Sequence, residues 1–193
     1  MLYRTHALYY SPEVMDRRMT ALVPLCAALT AAGAFIKLPL WPVPITLQTF
    51  FVIFSGIILG PRYGALSQIV YVIMGLLGLP VFSGGGGLAY IMRPSFGYLM
   101  GFVAAPLVVG HFIKGRVLTH QVVFTAALLG TLVIYCIGTP YLAVYMKFVM
   151  NKPEATSLAF KTGALVFIPG DLIKCLVLAL VVPRIRVHEL LKR

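Results

Sequence analysis

The run Ile168-Pro169-Gly170-Asp171-Leu172-Ile173-Lys174-Cys175-Leu176-Val177-Leu178-Ala179-Leu180-Val181-Val182 is apolar throughout except for one acid and one base, three residues apart. Pro169 suits the first turn of a helix, where its missing N–H costs nothing, so a helix is expected from near Pro169 to about Val182. Residues three apart on a helix share a face, and Asp171 and Lys174 can therefore meet. Each alone would cost about 2.5 to 3.5 kcal/mol at the middle of a bilayer on an insertion scale. Intramembrane charges are functional by default, and this acid and base are expected to line a cavity near the outer end of the helix. The plainer alternative is an internal pair that only neutralises itself.

The rest of the chain is of the same kind. Its 193 residues are 60% hydrophobic and 11% charged, with a mean hydropathy of +0.95, which is outside the range of soluble domains. We expect an all-α integral membrane protein. At about 20 apolar residues per crossing, the length allows roughly six transmembrane helices and no soluble catalytic domain. The expected spans run from about Met19 to Leu38, Ile45 to Gly60, Tyr63 to Leu79, Ser95 to Ile113, Val122 to Phe148 and Pro169 to Val182. Gly138-Thr139-Pro140 should kink or break the fifth, and a polar connection is expected from Met150 to about Thr162. Residues 1–18 form a polar basic extension before a single membrane domain, 19–193. A small-x-small site at Ala32-Gly33-Ala34 has the form of a signal cleavage site, but the apolar run continues past it and more spans follow.

Sixteen Lys and Arg face five Asp and Glu, a net charge of +11. In a polar chain that balance would suggest nucleic acid, but here it reads as topology. With six spans, both termini share a side with the loops holding Arg62, Lys114 and Arg116. Together with Arg4, Arg17, Arg18, Arg184, Arg186, Lys192 and Arg193, this face carries ten bases. The other face carries five: Lys37, Arg93, Lys147, Lys152 and Lys161. The positive-inside rule then makes both termini cytoplasmic. No phosphate-binding G-x-x-x-x-G-K-[ST] loop occurs, so any use of ATP belongs to a partner chain. Cys26, Cys136 and Cys175 lack metal-ligand or C-x-x-C spacing and are expected to be small buried hydrophobes. His6, His111, His120 and His188 lie in polar ends or at helix termini, where a solvated role is the default. No metal and no cofactor are expected.

Three further features can carry chemistry. Arg93 closes the outward stretch that contains Gly84-Gly85-Gly86-Gly87, where the backbone can approach a ligand closely or act as a lid, and a guanidinium pairs a carboxylate through two parallel hydrogen bonds. The loop Pro39-Leu40-Trp41-Pro42-Val43-Pro44 holds the only tryptophan, an interfacial anchor or a ligand wall. It leads into Thr46, Gln48 and Thr49, whose side chains can bond to backbone or to a substrate. Small residues at spacing four recur at Ala27 and Ala31, Ala28 and Ala32, and Gly56, Gly60 and Gly64, a pattern that lets helices approach. Its density on the first span makes that helix the candidate docking surface.

Taken together, Pro44-Ile45-Thr46-Leu47-Gln48-Thr49, Gly75-Leu76-Leu77-Gly78-Leu79-Pro80-Val81-Phe82 with its glycine loop, Pro94-Ser95-Phe96-Gly97-Tyr98-Leu99-Met100-Gly101-Phe102, and Ile168-Pro169-Gly170-Asp171-Leu172-Ile173-Lys174 resemble the BioY family over residues 19 to about 186. These are the biotin-specific substrate-binding S-components of energy-coupling-factor (ECF) transporters. The resemblance implies a six-helix S-component-like bundle in the cell membrane with cytoplasmic termini. It also implies an outward biotin site capped by the loops after the first and third helices. The family is not enzymatic: uptake needs a transmembrane T-component and two ATP-binding-cassette ATPases. The family's docking face maps to Ala27, Ala31, Ala28 and Ala32, and its ligand-contacting acid and base map to Asp171 and Lys174. The extension before residue 19 lies outside the family pattern.

Biotin's chemistry fits these residues independently. Asp171 can accept from a ureido N–H, Lys174 can donate to the ureido carbonyl while keeping Asp171 ionised, and Arg93 can clamp the tail carboxylate. Trp41 and Tyr90 would enclose the ring, with Ser83, Thr46 and Gln48 as secondary polar contacts. At about 1.5 to 3 kcal/mol for each hydrogen bond to a charged group, three such contacts in a closed apolar pocket can support nanomolar binding. The competing expectations are a proton-coupled secondary transporter with Asp171 as the coupling acid, and an S-component for another vitamin. An enzyme is disfavoured because no nucleophile, base and orienting group converge in the spans.

Overall fold

The structure, a computed structural model, describes the backbone of residues 12–184 and the side chains of residues 19–184. The expectations resting on Arg4, His6, Arg17, Arg18, Arg186, His188, Lys192 and Arg193 lie outside the described side chains. Helix α1 (Pro12–Phe35) begins within the basic extension and carries Pro24 inside it. A short antiparallel hairpin follows, β1 (Lys37–Leu38) with β2 (Ile45–Thr46), in which Lys37 faces Thr46 and Leu38 faces Ile45. Its link to α1 is direct, since the Leu47 N–H reaches Gly33 O at 3.1 Å and Ile36 O at 3.0 Å.

Helix α2 (Gln48–Leu76) is not straight. Gly60 sits at φ +73°, ψ −174°, a conformation glycine alone adopts readily, and Pro61 starts the next turn. In a straight helix Gln48 and Tyr71 would be roughly 34 Å apart, yet the Gln48 side-chain amide donates to the Tyr71 hydroxyl at 2.5 Å. Gln68 Nε2 likewise donates to Ser55 Oγ at 3.2 Å. The two halves therefore run back along one another. The spacing-four glycines divide accordingly. Gly60 makes the reversal, whereas Gly56 and Gly64 face each other and α3, where an added Cβ would fall 2.8 Å from Pro106 Cα and 2.9 Å from Pro106 Cβ respectively.

A 3-10 turn (Leu88–Met92) ends the glycine loop, and α3 (Phe96–Ile113) packs between α2 and α4 (His120–Phe148). Thr119 caps α4 by accepting from Val122 N–H at 3.3 Å. Of the kink or break expected at Gly138-Thr139-Pro140, the break does not occur: α4 stays helical through Pro140. Pro140 is exposed while Ile134, Leu142 and Met146 on either side of it are buried, so both sides of the helix are packed, and an apolar surround gives the backbone no better partner than the helix.

The polar connection is also shorter than expected. Helix α5 (Ala155–Phe160) passes through a π-helical turn (Lys161–Leu165) to α6 (Ile168–Val181). Ala155 and Ala159 are buried, and their packing wins over the polar residues among them. The Tyr98 hydroxyl ties the π turn to α3 by donating to Gly163 O at 2.7 Å.

Among the described residues, four helical stretches are long and apolar enough to cross a membrane: Gln48–Leu76, Phe96–Ile113, His120–Phe148 and Ala155–Arg184. The sequence had suggested six. The expected second and third crossings are the two halves of α2, and the apolar part of α1, Met19–Phe35, is shorter than the four. Leu66, Ile69, Ile73, Leu132, Ile173 and Leu176 are exposed, as lipid-facing positions are. Cys26 and Cys175 are buried as expected, but Cys136 is exposed on the outside of α4.

Candidate ligand-binding site

The site is built on α6. Asp171 lies in its first turn and is almost fully buried; Lys174 follows one turn later. The two form an ion pair at 2.6 Å. The helix start of α2 comes against them. Lys174 Nζ also donates to Thr46 O at 2.7 Å and Thr49 Oγ1 at 3.0 Å, and Thr49 Oγ1 donates to Asp171 Oδ1 at 3.1 Å. From α4, the Tyr135 hydroxyl donates to Asp171 Oδ2 at 2.5 Å. A buried pair is tolerated when its remaining donors and acceptors are satisfied, and this one is.

The pair also lines a cavity. The inner chamber of about 50 Å³ is walled by Asp171, Lys174, Thr46, Gln48, Ser83 and Tyr90, together with Thr49, Tyr98, Phe102, Tyr135 and Phe167. Gln48 is buried and held by Tyr71 on one side and the Thr46 hydroxyl, which donates to Gln48 Oε1 at 3.1 Å, on the other. Tyr98 and Phe167 meet edge to face, centroids 6.2 Å apart.

Ser83 and Tyr90, which flank the glycine run, line this chamber. Phe82 packs on Tyr71 and Tyr90, with centroids 5.4 Å and 4.5 Å away. The Tyr90 hydroxyl collects Ser83 Oγ at 3.3 Å and Ser95 Oγ at 3.2 Å. At Gly86 a Cβ would fall 2.2 Å from Leu79 O, so only glycine lets the loop close onto the end of α2. Two side chains clasp the loop to the bundle: Lys37 donates to Ser83 O, and Tyr141 donates to Ile91 O.

Arg93 and Trp41 stand apart from the other six expected ligand residues. They line an outer chamber of about 290 Å³ with Pro42, Tyr145 and Met150, which shares Pro44, Ser83, Tyr90 and Ser95 with the inner one. Both are exposed. Tyr135 went unrecognised in the sequence: it is one of ten tyrosines, in an apolar helix with no motif around it. The four expected docking alanines separate as well. Ala27 and Ala31 are buried in the core cluster that contains Val52 and Tyr71, while Ala28 and Ala32 are exposed. Adjacent helix positions lie about 100° apart, so the two pairs cannot share a face.

A helical bundle that sets a fully bonded ion pair against a chamber, beneath a tethered glycine loop, is built as a ligand-binding protein of the membrane. The chain belongs to the BioY family, whose sequence profile matches residues 9–192. That match reaches further at both ends than residues 19–186 and takes in part of the basic extension. Similar proteins include a probable biotin transporter BioY of Lysinibacillus sphaericus, 42% identical over 85% of this chain and 84% of that one. Another, of Pyrococcus horikoshii, is 41% identical over 89% and 98%. A biotin transporter BioY of Thermotoga maritima is 36% identical over 84% and 92%. The crystal structure of the S-component for biotin from an ECF-type ABC transporter superposes with a TM-score of 0.70 at 28% identity, covering 95% of this chain and all of that one. Family and apolar helices together make this a multi-pass cell-membrane protein.

Proposed function

We propose that this chain is a biotin-binding S-component, which captures biotin from the outer side of the cell membrane and releases it inward with an ATP-driven ECF module. The observation that carries this reading is the Asp171 cluster at the inner chamber with Arg93 at the outer, a separation that suits a vitamin with a ureido ring at one end and a carboxylate at the other. The ring sits in the inner chamber and the tail points to Arg93. Six crossings with cytoplasmic termini follow if each half of α2 spans once, which the Gly60 reversal supports. The chain itself is not an enzyme; a T-component and two ATPases supply the energy. Asp171 is held by three protein donors, a poor arrangement for a coupling acid that must gain and lose a proton. The test is binding of radiolabelled biotin to the purified chain with neither ATP nor an ion gradient, and absence of binding overturns the proposal.

Two results follow from this placement. Arg93→Ala should weaken biotin by about 1.5 to 3 kcal/mol, the value of a charge-assisted hydrogen bond, and leave the carboxamide of biotin nearly unaffected. Equal losses for both ligands would remove Arg93 as the carboxylate clamp. The docking face narrows to the exposed Ala28 and Ala32. Leucine at both positions should abolish ATP-driven uptake, because bulk there prevents close helix approach, while binding to the isolated chain persists. Undiminished uptake would place the T-component elsewhere.

A further inference from the structure

Both chambers lie at one end of the bundle, and the charges at that end are unbalanced. Lys37 in β1 donates to Ser83 O, the carbonyl of a residue that lines both chambers. Arg93 lines the outer chamber. Lys147 stands in the last turn of α4, between Tyr145 and Met150 of the outer-chamber wall. The Lys152 N–H reaches Met146 O at 3.1 Å, which folds this residue back onto the end of α4. Lys161 opens the π turn that Tyr98, a wall of the inner chamber, ties down through Gly163 O. Against these five bases the same loops and helix ends hold one acid, Glu154. All six are exposed. Among the described residues none of them is in an ion pair, since the pair the structure forms is Asp171 with Lys174.

Exposed bases without acidic partners add nothing to the fold through ion pairing, and even exposed pairs contribute little. What they produce is a field. Charges of one sign around a cleft with low-dielectric walls raise the local concentration of the opposite ion and its rate of arrival, and apolar helices in lipid are such walls. Biotin at neutral pH is a monoanion through its tail carboxylate. We propose, on the biotin reading above, that Lys147, Lys152 and Lys161 complete with Lys37 and Arg93 a cationic rim that draws the anionic ligand to the outer chamber, where Arg93 receives it. Lys147, Lys152 and Lys161 line neither chamber, so they act at a distance. Rim charges of this kind change the association rate and its salt dependence more than the dissociation rate. Glu154 opposes the field, and its side chain makes no capping hydrogen bond to α5 in return.

Trp41, the only tryptophan, lines the outer chamber, so its fluorescence in stopped flow reports ligand arrival at the purified full chain in uncharged detergent. The screening length falls from about 30 Å at 0.01 M salt to about 8 Å at 0.15 M. Over that range the association rate constant of biotin should drop about threefold to tenfold, and that of the neutral biotin carboxamide should stay level. Lys147→Gln/Lys152→Gln/Lys161→Gln should slow biotin about threefold or more at low salt and flatten its salt dependence, with dissociation and the carboxamide changed less than about twofold. Glu154→Gln should speed biotin association. A wild-type rate that ignores salt, or a triple variant as fast as wild type at low salt, overturns the inference and leaves these bases as contacts for lipid phosphates. Equal slowing of biotin and carboxamide overturns it too, because a field acts on charge alone. If the triple variant fails to fold, the wild-type salt series and Glu154→Gln decide the matter. Biotin capture that ignores salt overturns the rim alone, whereas wild type that binds neither ligand overturns the biotin reading with it.

Discussion

Asp171→Asn is expected to weaken biotin binding by at least about a hundredfold, measured as the dissociation constant of the purified chain. Two losses combine. The hydrogen bond from the ureido N–H no longer ends on a charge, a contact worth about 1.5 to 3 kcal/mol. The neutral amide also puts an N–H₂ among groups that now donate to it, since Thr49, Lys174 and Tyr135 all direct hydrogens at this carboxylate. Lys174 loses its counter-charge in a site where its side chain is only 12% exposed. Removing one partner of a buried pair costs about 3 to 5 kcal/mol in stability, so the thermal unfolding midpoint should fall as well. Full retention of binding would remove Asp171 from the site.

The second large effect is at Lys174. Lys174→Met keeps the length and apolar stem of the side chain but leaves Asp171, 5% exposed, without its cation. A similar loss of about 3 to 5 kcal/mol in stability is expected, with biotin binding falling in parallel because the cation that holds Asp171 in place is gone. The double variant Asp171→Asn/Lys174→Met separates the two roles. It removes both buried charges, so much of the stability should return, while binding stays lost. Recovery of stability and binding together would reduce the pair to an internal neutraliser. Equilibrium unfolding in detergent, beside the binding assay, reads both quantities.

The membrane character, the pairing of Asp171 with Lys174 and the interruption between Gly60 and Tyr63 were all legible in the amino-acid order. Each is a local matter: residues three apart on a helix share a face, and the apolar runs on either side of residues 61–62 are each too short to need the other. Misreadings arose where packing competes with a local rule. Pro140 leaves α4 intact because buried neighbours on both sides hold the helix, and Ala155–Phe160 is helical because Ala155 and Ala159 are buried, although the residues around them are polar.

By itself, then, the sequence determined the solvent this protein lives in, the face of α6 that carries its charges and the family to which its motifs point, because these depend on residues close together in the chain. Tertiary structure alone decided that Tyr135 joins Asp171 across 36 positions, that Lys174 spends every donor inside the protein, and that Ala28 and Ala32 face outward while Ala27 and Ala31 do not. Those facts depend on the relative rotation of separate helices. Side-chain packing between the helices sets that rotation, and no short-range periodicity records it.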